Sequence, residues 1–314
     1  MQNDMKKTNE KVSVITCTYN RANTLPKVYE SLCSQTYKNF EWIIVNDGSE
    51  DNTEELVKNW ISENKINIIY LYEENNGKHI AANLGISKAA GYFTVNLDSD
   101  DYLKENALET LIDAWNSIPK EQWEDFFAVK AKCFDPKTGK PIGKPVAGGR
   151  WEGHLLDGKY KHGYNFDMPD MSRTQVKRLY PNPDIRGGRE NGGLRFYPEG
   201  ISQDLASRKY KTLYINEPLL GYVTDNSTSL RGRKAKYSNY RENFFLWTHI
   251  INDNLDYFIY DINSFIKAFV GVSMDARFLK MSYKELMKAI KGPLRKTVVT
   301  LFIPLGYTAY LIKK

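Results

Sequence analysis

Residues 94–103 read Thr94-Val95-Asn96-Leu97-Asp98-Ser99-Asp100-Asp101-Tyr102-Leu103, a short strand-forming run that ends in three carboxylates within four positions. Like charges this close repel one another, and each resists leaving water. Either the turn is a solvated loop or something positive belongs there. Asp98 and Asp100, just past a buried strand, offer the hard oxygen ligands that suit Mg2+ or Mn2+. Such ions keep several waters and take their remaining oxygens from phosphates, so a diphosphate ligand is implied. Asp101 is expected to cap a helix beginning near Lys104 rather than to bind the ion. Without a ligand the crowded turn should be strained or mobile.

Upstream, the chain repeats one pattern. Val12 to Cys17 is a β-branched run, followed by helical spacing of Leu25, Val28, Tyr29 and Leu32. Trp42 to Asn46 is a second strand. Asn52 or Thr53 caps a helix that turns Leu56, Val57 and Trp60 inward. Ile66 to Leu71 is a third strand, then Lys78 opens a helix through Ala81, Ala82, Leu84 and Ile86. Tyr92 to Leu97 is the fourth strand. Four βα units predict a parallel sheet covered on both faces, and ligands of such sheets bind outside the carboxyl ends of the strands. All four strands end in polar loops, at Thr18, Asp47, Glu74 and Asp98, which should converge on one edge.

Beyond about residue 120 the periodicity loosens. Phe126 to Cys133 and Tyr210 to Ile215 read as strands, and the Gly/Arg-rich segment Arg186 to Arg189 reads as a loop that either contacts acceptor or donor phosphates or is simply solvated. Neither a dinucleotide-binding glycine fingerprint nor a P-loop follows any strand. The histidines make no zinc cluster. His154, with Trp151 nearby, fits a structural aromatic loop better than an acceptor pocket. Cys17, Cys33 and Cys133 fit no metal spacing and suit a reducing compartment. The first ten residues carry no apolar core, so a cytoplasmic chain is expected. The net charge of +6 is uneven: from Asp261 to Lys314 ten Lys/Arg face three Asp/Glu, which leaves the body near neutral. That argues against nucleic acid as a partner of the body and directs attention to the tail.

Four motifs in order resemble the family 2 glycosyltransferases with the GT-A fold: Val14 to Arg21, Val45 to Thr53, Asn75 to Lys78 with Ala82 to Ile86, and Asn96 to Asp101. They cover roughly the first third of the chain. The resemblance implies an α/β fold with a mixed, mainly parallel sheet flanked by helices. It also implies inverting transfer from a nucleotide diphosphate sugar, usually UDP-linked. By that likeness Thr18, Tyr19 and Arg21 line the nucleotide pocket, Asp47 reads the base, and Asn76 and Lys78 lie near it. Asp98 would touch the ribose or the metal, with Ser99 beside it, and Asp100 the metal and diphosphate. The expected organisation is a glycosyltransferase domain over residues 1–225, its nucleotide part about 11–120 and its acceptor part about 121–225. A helical C-terminal extension follows over 226–314.

Displacement at a sugar carbon also needs a general base for the acceptor hydroxyl. The family normally supplies an acidic pair, often Glu-Asp. Here no such pair exists: Glu199 best occupies the base position and Asp204 is second. Arg231-Gly232-Arg233-Lys234 is either a phosphate contact or a solvated basic loop. In the tail, the apolar run Thr297 to Ile312 is too short to span a bilayer, contains Pro304 and Gly306, and is flanked by basic residues. An interfacial membrane anchor is expected, peripheral on the inner face of the cell membrane, which suits a glycan or lipid-linked acceptor. The alternative is a helix packed on the body or in a homo-oligomer interface. Two other functional readings stand beside transfer. A sugar nucleotidyltransferase should carry a Gly-rich phosphate loop after the first strand, which Thr18-Tyr19-Asn20-Arg21 is not. A non-catalytic sugar-nucleotide-binding or membrane scaffold protein is favoured only by the incomplete acidic pair.

Overall fold

The structure is a computed structural model that describes residues 9–164, 168–186, 193–194, 196–223 and 239–314. In chain order it begins β1 (Val12–Thr18), α1 (Leu25–Cys33), β2 (Phe40–Asp47), α2 (Thr53–Glu63), β3 (Ile68–Glu73), α3 (Lys78–Lys88) and β4 (Phe93–Asn96). Then come β5 (Tyr102–Leu103), α4 (Ala107–Asn116), β6 (Phe126–Phe134), β7 (Arg150–Gly153), α5 (Leu155–Lys161), β8 (Asp170–Arg173), α6 (Thr174–Leu179), α7 (Gly200–Ser207) and β9 (Lys211–Gly221). The last helices are α8 (Tyr240–Asp253), α9 (Ile262–Phe278), α10 (Tyr283–Ala289) and α11 (Pro293–Lys313). Two compact units result: Met1–Arg195 with Ser202–Ser229, and Phe196–Ile201 with Leu230–Lys314.

The first unit is built on one sheet of order β3-β2-β1-β4-β8-β6-β9-β5, with β7 on β9. The four strands read from the βα pattern pair in parallel, Val14 opposite Trp42 and Val95, as non-alternating apolar runs require. One face packs on α1, α2 and α4, where Tyr29, Trp42 and Trp60 stack with centroids 4.4 to 6.2 Å apart. On the other face Ile15, Ile43 and Val45 pack with Ala81 and Ile86 of α3. Ile43 and Val45, fully buried, each contribute roughly 1.5–3 kcal/mol of transfer free energy. The sheet becomes mixed at β8, which runs antiparallel to both β4 and β6.

Under β8 lies a buried ionic cluster. Burial pushes the Asp170 carboxyl up, but Lys177 at 3.5 Å and Lys130 at 4.0 Å outweigh it and hold the group below its ordinary range. Lys130 also donates to Gln203 of α7.

The second unit is helical. Asp261 caps α9 by accepting from the Ser264 N–H, and Ser282 with Glu285 forms a capping box on α10. Its helices meet through Phe269 against Phe302 and Phe278 against Tyr310. α11 approaches α9 most closely at Gly306, where a Cβ would stand 2.5 Å from Ser273 Cβ and 3.0 Å from Met274 N. The apolar tail is thus one helix running through Pro304, and no helix among the described residues is long and apolar enough to cross a membrane.

Two local expectations are corrected. Asp101 caps no helix: α4 begins only at Ala107, after Asn106, and the Asp101 carboxylate turns inward to accept the N–H of Val223 at 3.0 Å. Short β5 intervenes because Tyr102 and Leu103 pair with Gly221 and Leu220. At α2 Asn52 holds the N-cap position as expected, but its side chain makes no capping bond; Asp51 Oδ1 takes the Thr53 N–H and hydroxyl instead.

Candidate active site

The carboxyl ends of β1 and β2 are tied by local hydrogen bonds that any ligand would meet as a preformed rim. Asn20 N donates to Ser49 Oγ, Glu50 N to Asn20 Oδ1, and Ala22 N to Asp51 Oδ2. Gly48 closes the β2 loop at φ +77°, and a Cβ there would stand 2.8 Å from Asn75 N, so the residue must be glycine. Thr18, at the end of β1, is buried and its Oγ1 has no hydrogen-bond partner, whereas Tyr19 is exposed. The buried hydroxyl leaves hydrogen-bonding capacity unused at the end of β1, beside an exposed ring.

Asp47 ends β2 inside the fold. Its carboxylate accepts the N–H groups of Asn76 at 2.8 Å and Gly77 at 3.1 Å, the turn from which α3 starts. Burial pushes its pKa up to about 6 despite those two donors. The bonds fix where Lys78, the first residue of α3, begins. Lys78 Nζ then donates to Asp98 Oδ1 at 2.7 Å.

The acid turn after β4 brings Asp98, Asp100 and Asp101 together, one carboxylate oxygen of each lying within 4.8 Å of the others. Its positive partners are side chains: Lys78 on Asp98, and the Arg21 guanidinium 3.8 Å from Asp100. Ser99 is buried, and its carbonyl accepts from the Thr24 hydroxyl at 2.7 Å, which ties the turn to the start of α1. No residue of the turn has positive φ, so the strain expected of an unliganded turn is not stored in the backbone. Asp101 carries the electrostatic load instead: burial first, then the charges of Asp98 and Asp100, push it up to about 8. The Lys78–Asp98 pair is half-exposed, and pairs of that kind are worth only about 0–1 kcal/mol. It can open at little cost when a more highly charged ligand arrives. The carboxylates of Asp98 and Asp100 are hard oxygen donors of the kind that fit a Mg2+ or Mn2+ ion.

Sequence reasoning placed Thr18, Tyr19, Arg21, Asp47, Asn76, Lys78, Asp98, Ser99 and Asp100 on one edge, and the structure sets all of them at the carboxyl ends of β1, β2, β3 and β4. It missed two acids. Asp101 joins the cluster, as a third acid in the same turn could have signalled. Glu73 ends β3 as Asp47 ends β2, and burial with the Asp47 charge pushes it up to about 7. Glu73 also lines a cavity of about 400 Å3 beside α3, with Ile80, Asn83, Leu84, Ser87, Asp184 and Arg186. Of the candidate binding residues Arg186 lines that cavity, and none of the nine at the strand ends does.

The two candidate bases differ in setting. Asp204, on α7, is buried, and Lys159 Nζ lies 2.9 Å from its Oδ2. Burial alone would lower the Lys159 pKa, but Asp204 raises it. Glu199 precedes α7 and is half-buried. His154 is structural, its Nδ1 lying 2.7 Å from the Ser207 carbonyl, and Trp151 packs on Tyr164 and Tyr214. Residues 187–189 of the Gly/Arg segment and the stretch Arg231 to Lys234 lie outside the described residues.

Residues 13–123 match the family model for glycosyl transferase family 2. They form a family 2 glycosyltransferase domain. Glycosyltransferase GlyA of Streptococcus pneumoniae serotype 4 is 40% identical over 102 residues, 32% of this chain and 14% of that protein. GlyG of the same organism is 39% identical over 103 residues, 32% of this chain and 34% of GlyG. The uncharacterized glycosyltransferase YibD of Escherichia coli is 37% identical over 108 residues, 34% of this chain and 31% of YibD. The matches thus span no more than about a third of these relatives' length. The fold likeness reaches further. Staphylococcus aureus TarS 1–349 in complex with UDP-GlcNAc superposes with a TM-score of 0.61 over 96% of this chain and 90% of TarS 1–349, at 18% identity. The TarS 1–349 complex with UDP gives 0.54 at 19% identity. The architecture is therefore that of the GT-A glycosyltransferases.

Proposed function

We propose that the chain transfers a sugar from a nucleotide diphosphate sugar, UDP-linked, to a hydroxyl of a glycan or lipid-linked saccharide, with inversion at the anomeric carbon. The observation that carries this reading is the triad Asp98, Asp100 and Asp101 at the carboxyl edge of a parallel sheet, counterbalanced by Lys78 and Arg21. Negative charge held in place by two displaceable cations is suited to exchanging them for a metal-bound diphosphate. Thr18 and Tyr19 offer a hydroxyl and a ring to the nucleotide, and Asp47 an acceptor to its base. Once Asp98 takes up another partner, Lys78 is released to meet phosphate oxygens from the N-terminus of α3, where backbone N–H groups add to its charge. A Mn2+ or Mg2+ ion on Asp98 and Asp100 would neutralise charge developing on the leaving diphosphate. The acceptor's proton goes to Glu199 in this reading, because Asp204 is buried and paired with Lys159. The enzyme would work on the inner face of the cell membrane, held there through its C-terminal helix, in synthesis of a surface polysaccharide.

The test is release of UDP from a panel of UDP-sugars with Mn2+ and a saccharide acceptor. Asp100→Ala should abolish Mn2+-dependent turnover, and Glu199→Gln should lower kcat by roughly 10²–10⁴-fold with donor affinity kept. If UDP binds but no donor is transferred or hydrolysed, the reading is wrong and a sugar-nucleotide-binding role replaces it.

A further inference from the structure

The C-terminal helix has two unlike sides. Val299 and Gly306 are buried against the rest of the second unit, and Tyr310 packs on Phe278. At 100° per residue, Leu294, Leu301, Leu305, Thr308 and Ile312 fall on the opposite side, within about 60° of one another. That side faces outward: Leu301 is 71% and Ile312 81% exposed, and Leu294 and Leu305 are more than half exposed. Tyr283 of α10, itself exposed, reaches the same helix, its hydroxyl 3.1 Å from Thr300 Oγ1. The stripe runs along a helix about 31 Å long. Arg295 and Lys296 stand at one end, Lys313 and Lys314 at the other, and no acidic residue follows Glu285.

We infer that this face of α11 docks on an anionic lipid surface, the helix lying flat with its leucines among the acyl chains and its terminal lysines at the headgroups. The inference deepens the membrane placement in the proposed function by naming the surface and the lipid class. Charge selects the occupant. In a parallel pair of copies, Lys313 and Lys314 would meet themselves. In an antiparallel pair they would meet Arg295 and Lys296. Neither arrangement supplies an acid along the helix to offset the repulsion, whereas anionic headgroups supply it at both ends. No helix among the described residues is both long and apolar enough to cross a bilayer, so this one is not read as a span.

The experiment is flotation of the full chain with phosphatidylcholine vesicles, with and without phosphatidylglycerol, and without donor or metal. Binding is expected only to the anionic vesicles. It should weaken roughly tenfold or more in Leu301→Glu/Leu305→Glu, and again in Lys313→Glu/Lys314→Glu. Both pairs alter exposed positions, and circular dichroism checks that each variant keeps its helix. Should the leucine pair perturb folding, the lysine pair alone decides. Equal binding to neutral vesicles, unchanged binding in the variants, or no flotation overturns the inference. So does a wild-type dimer, seen by light scattering, that the leucine pair splits into monomers. Because no sugar donor is present, a chain that floats but transfers nothing would refute the catalytic reading and leave this one standing.

Discussion

Replacing Asp47 by asparagine separates what this residue does for the nucleotide from what it costs the fold. The folded pKa of about 6 stands above the ordinary 3.8, so the folded chain keeps the proton over a range in which the unfolded chain has released it. Stability must then fall as pH rises from about 4 to about 6, and stay at the lower level above. The difference corresponds to roughly 3 kcal/mol at neutral pH. Asparagine has no proton to lose, and its side-chain oxygen can keep the N–H groups of Asn76 and Gly77, both of which Asp47 Oδ1 already reaches. Asp47→Asn should therefore match the wild type near pH 4 and exceed it by up to about 3 kcal/mol near pH 7.5. Glu73 shifts the result the same way, because removing the Asp47 charge relieves part of its own upward push. Urea unfolding followed by tryptophan fluorescence at several pH values measures the gap, since Trp42 and Trp60 report on this half of the sheet. Calorimetry with UDP gives the other side: the more stable variant should bind nucleotide more weakly. A gap that does not widen with pH, or a variant less stable at neutral pH, would refute the reasoning.

Two further substitutions probe the frame around the site. Asp170→Asn leaves Lys130 and Lys177 buried without their carboxylate and should cost about 3–5 kcal/mol, read as a lower urea midpoint. Gly306→Val drives a branched side chain into Ser273 and the α9 backbone, with an expected loss of about 1–3 kcal/mol. Hydrogen exchange should show that loss in α9 and α11 while the amides of β1 and β2 stay protected, because the two units are separate compact bodies.

How much was legible in the sequence follows from how local each signal is. The βα units are written in contiguous residues. Each strand is an apolar run and each helix a stripe, so β1, α1, β2, β3 and α3 fell within two residues of their observed ends. The acids at the strand ends were legible for the same reason. What escaped depends on partners far away in the chain. Asp101 looked like a helix cap because Val223, which takes its carboxylate, lies 122 positions on. Lys78 was placed near the nucleotide, but its bond to Asp98 could not be read locally, because it depends on how Asp47 sets the start of α3. The four residues of β8 carry no strand pattern by themselves. Asp170 and Ser172 are polar yet buried, and only the lysines of β6 and α6 explain why. In the tail, Pro304 and Gly306 read as interruptions. The glycine is in fact what lets α11 lie against α9.

The place of β8 in the sheet bears on how the chain is made. β4 ends at Asn96, but its outer neighbour begins only at Asp170, and β5 waits for Gly221. At synthesis rates of about 5–20 residues per second, β4 spends several seconds as an open edge after it emerges, with its hydrogen-bonding groups exposed. The first four strands can assemble early from near neighbours, while closing the edge requires a long loop to be ordered. The nascent chain is therefore most vulnerable to strand-to-strand aggregation in that interval.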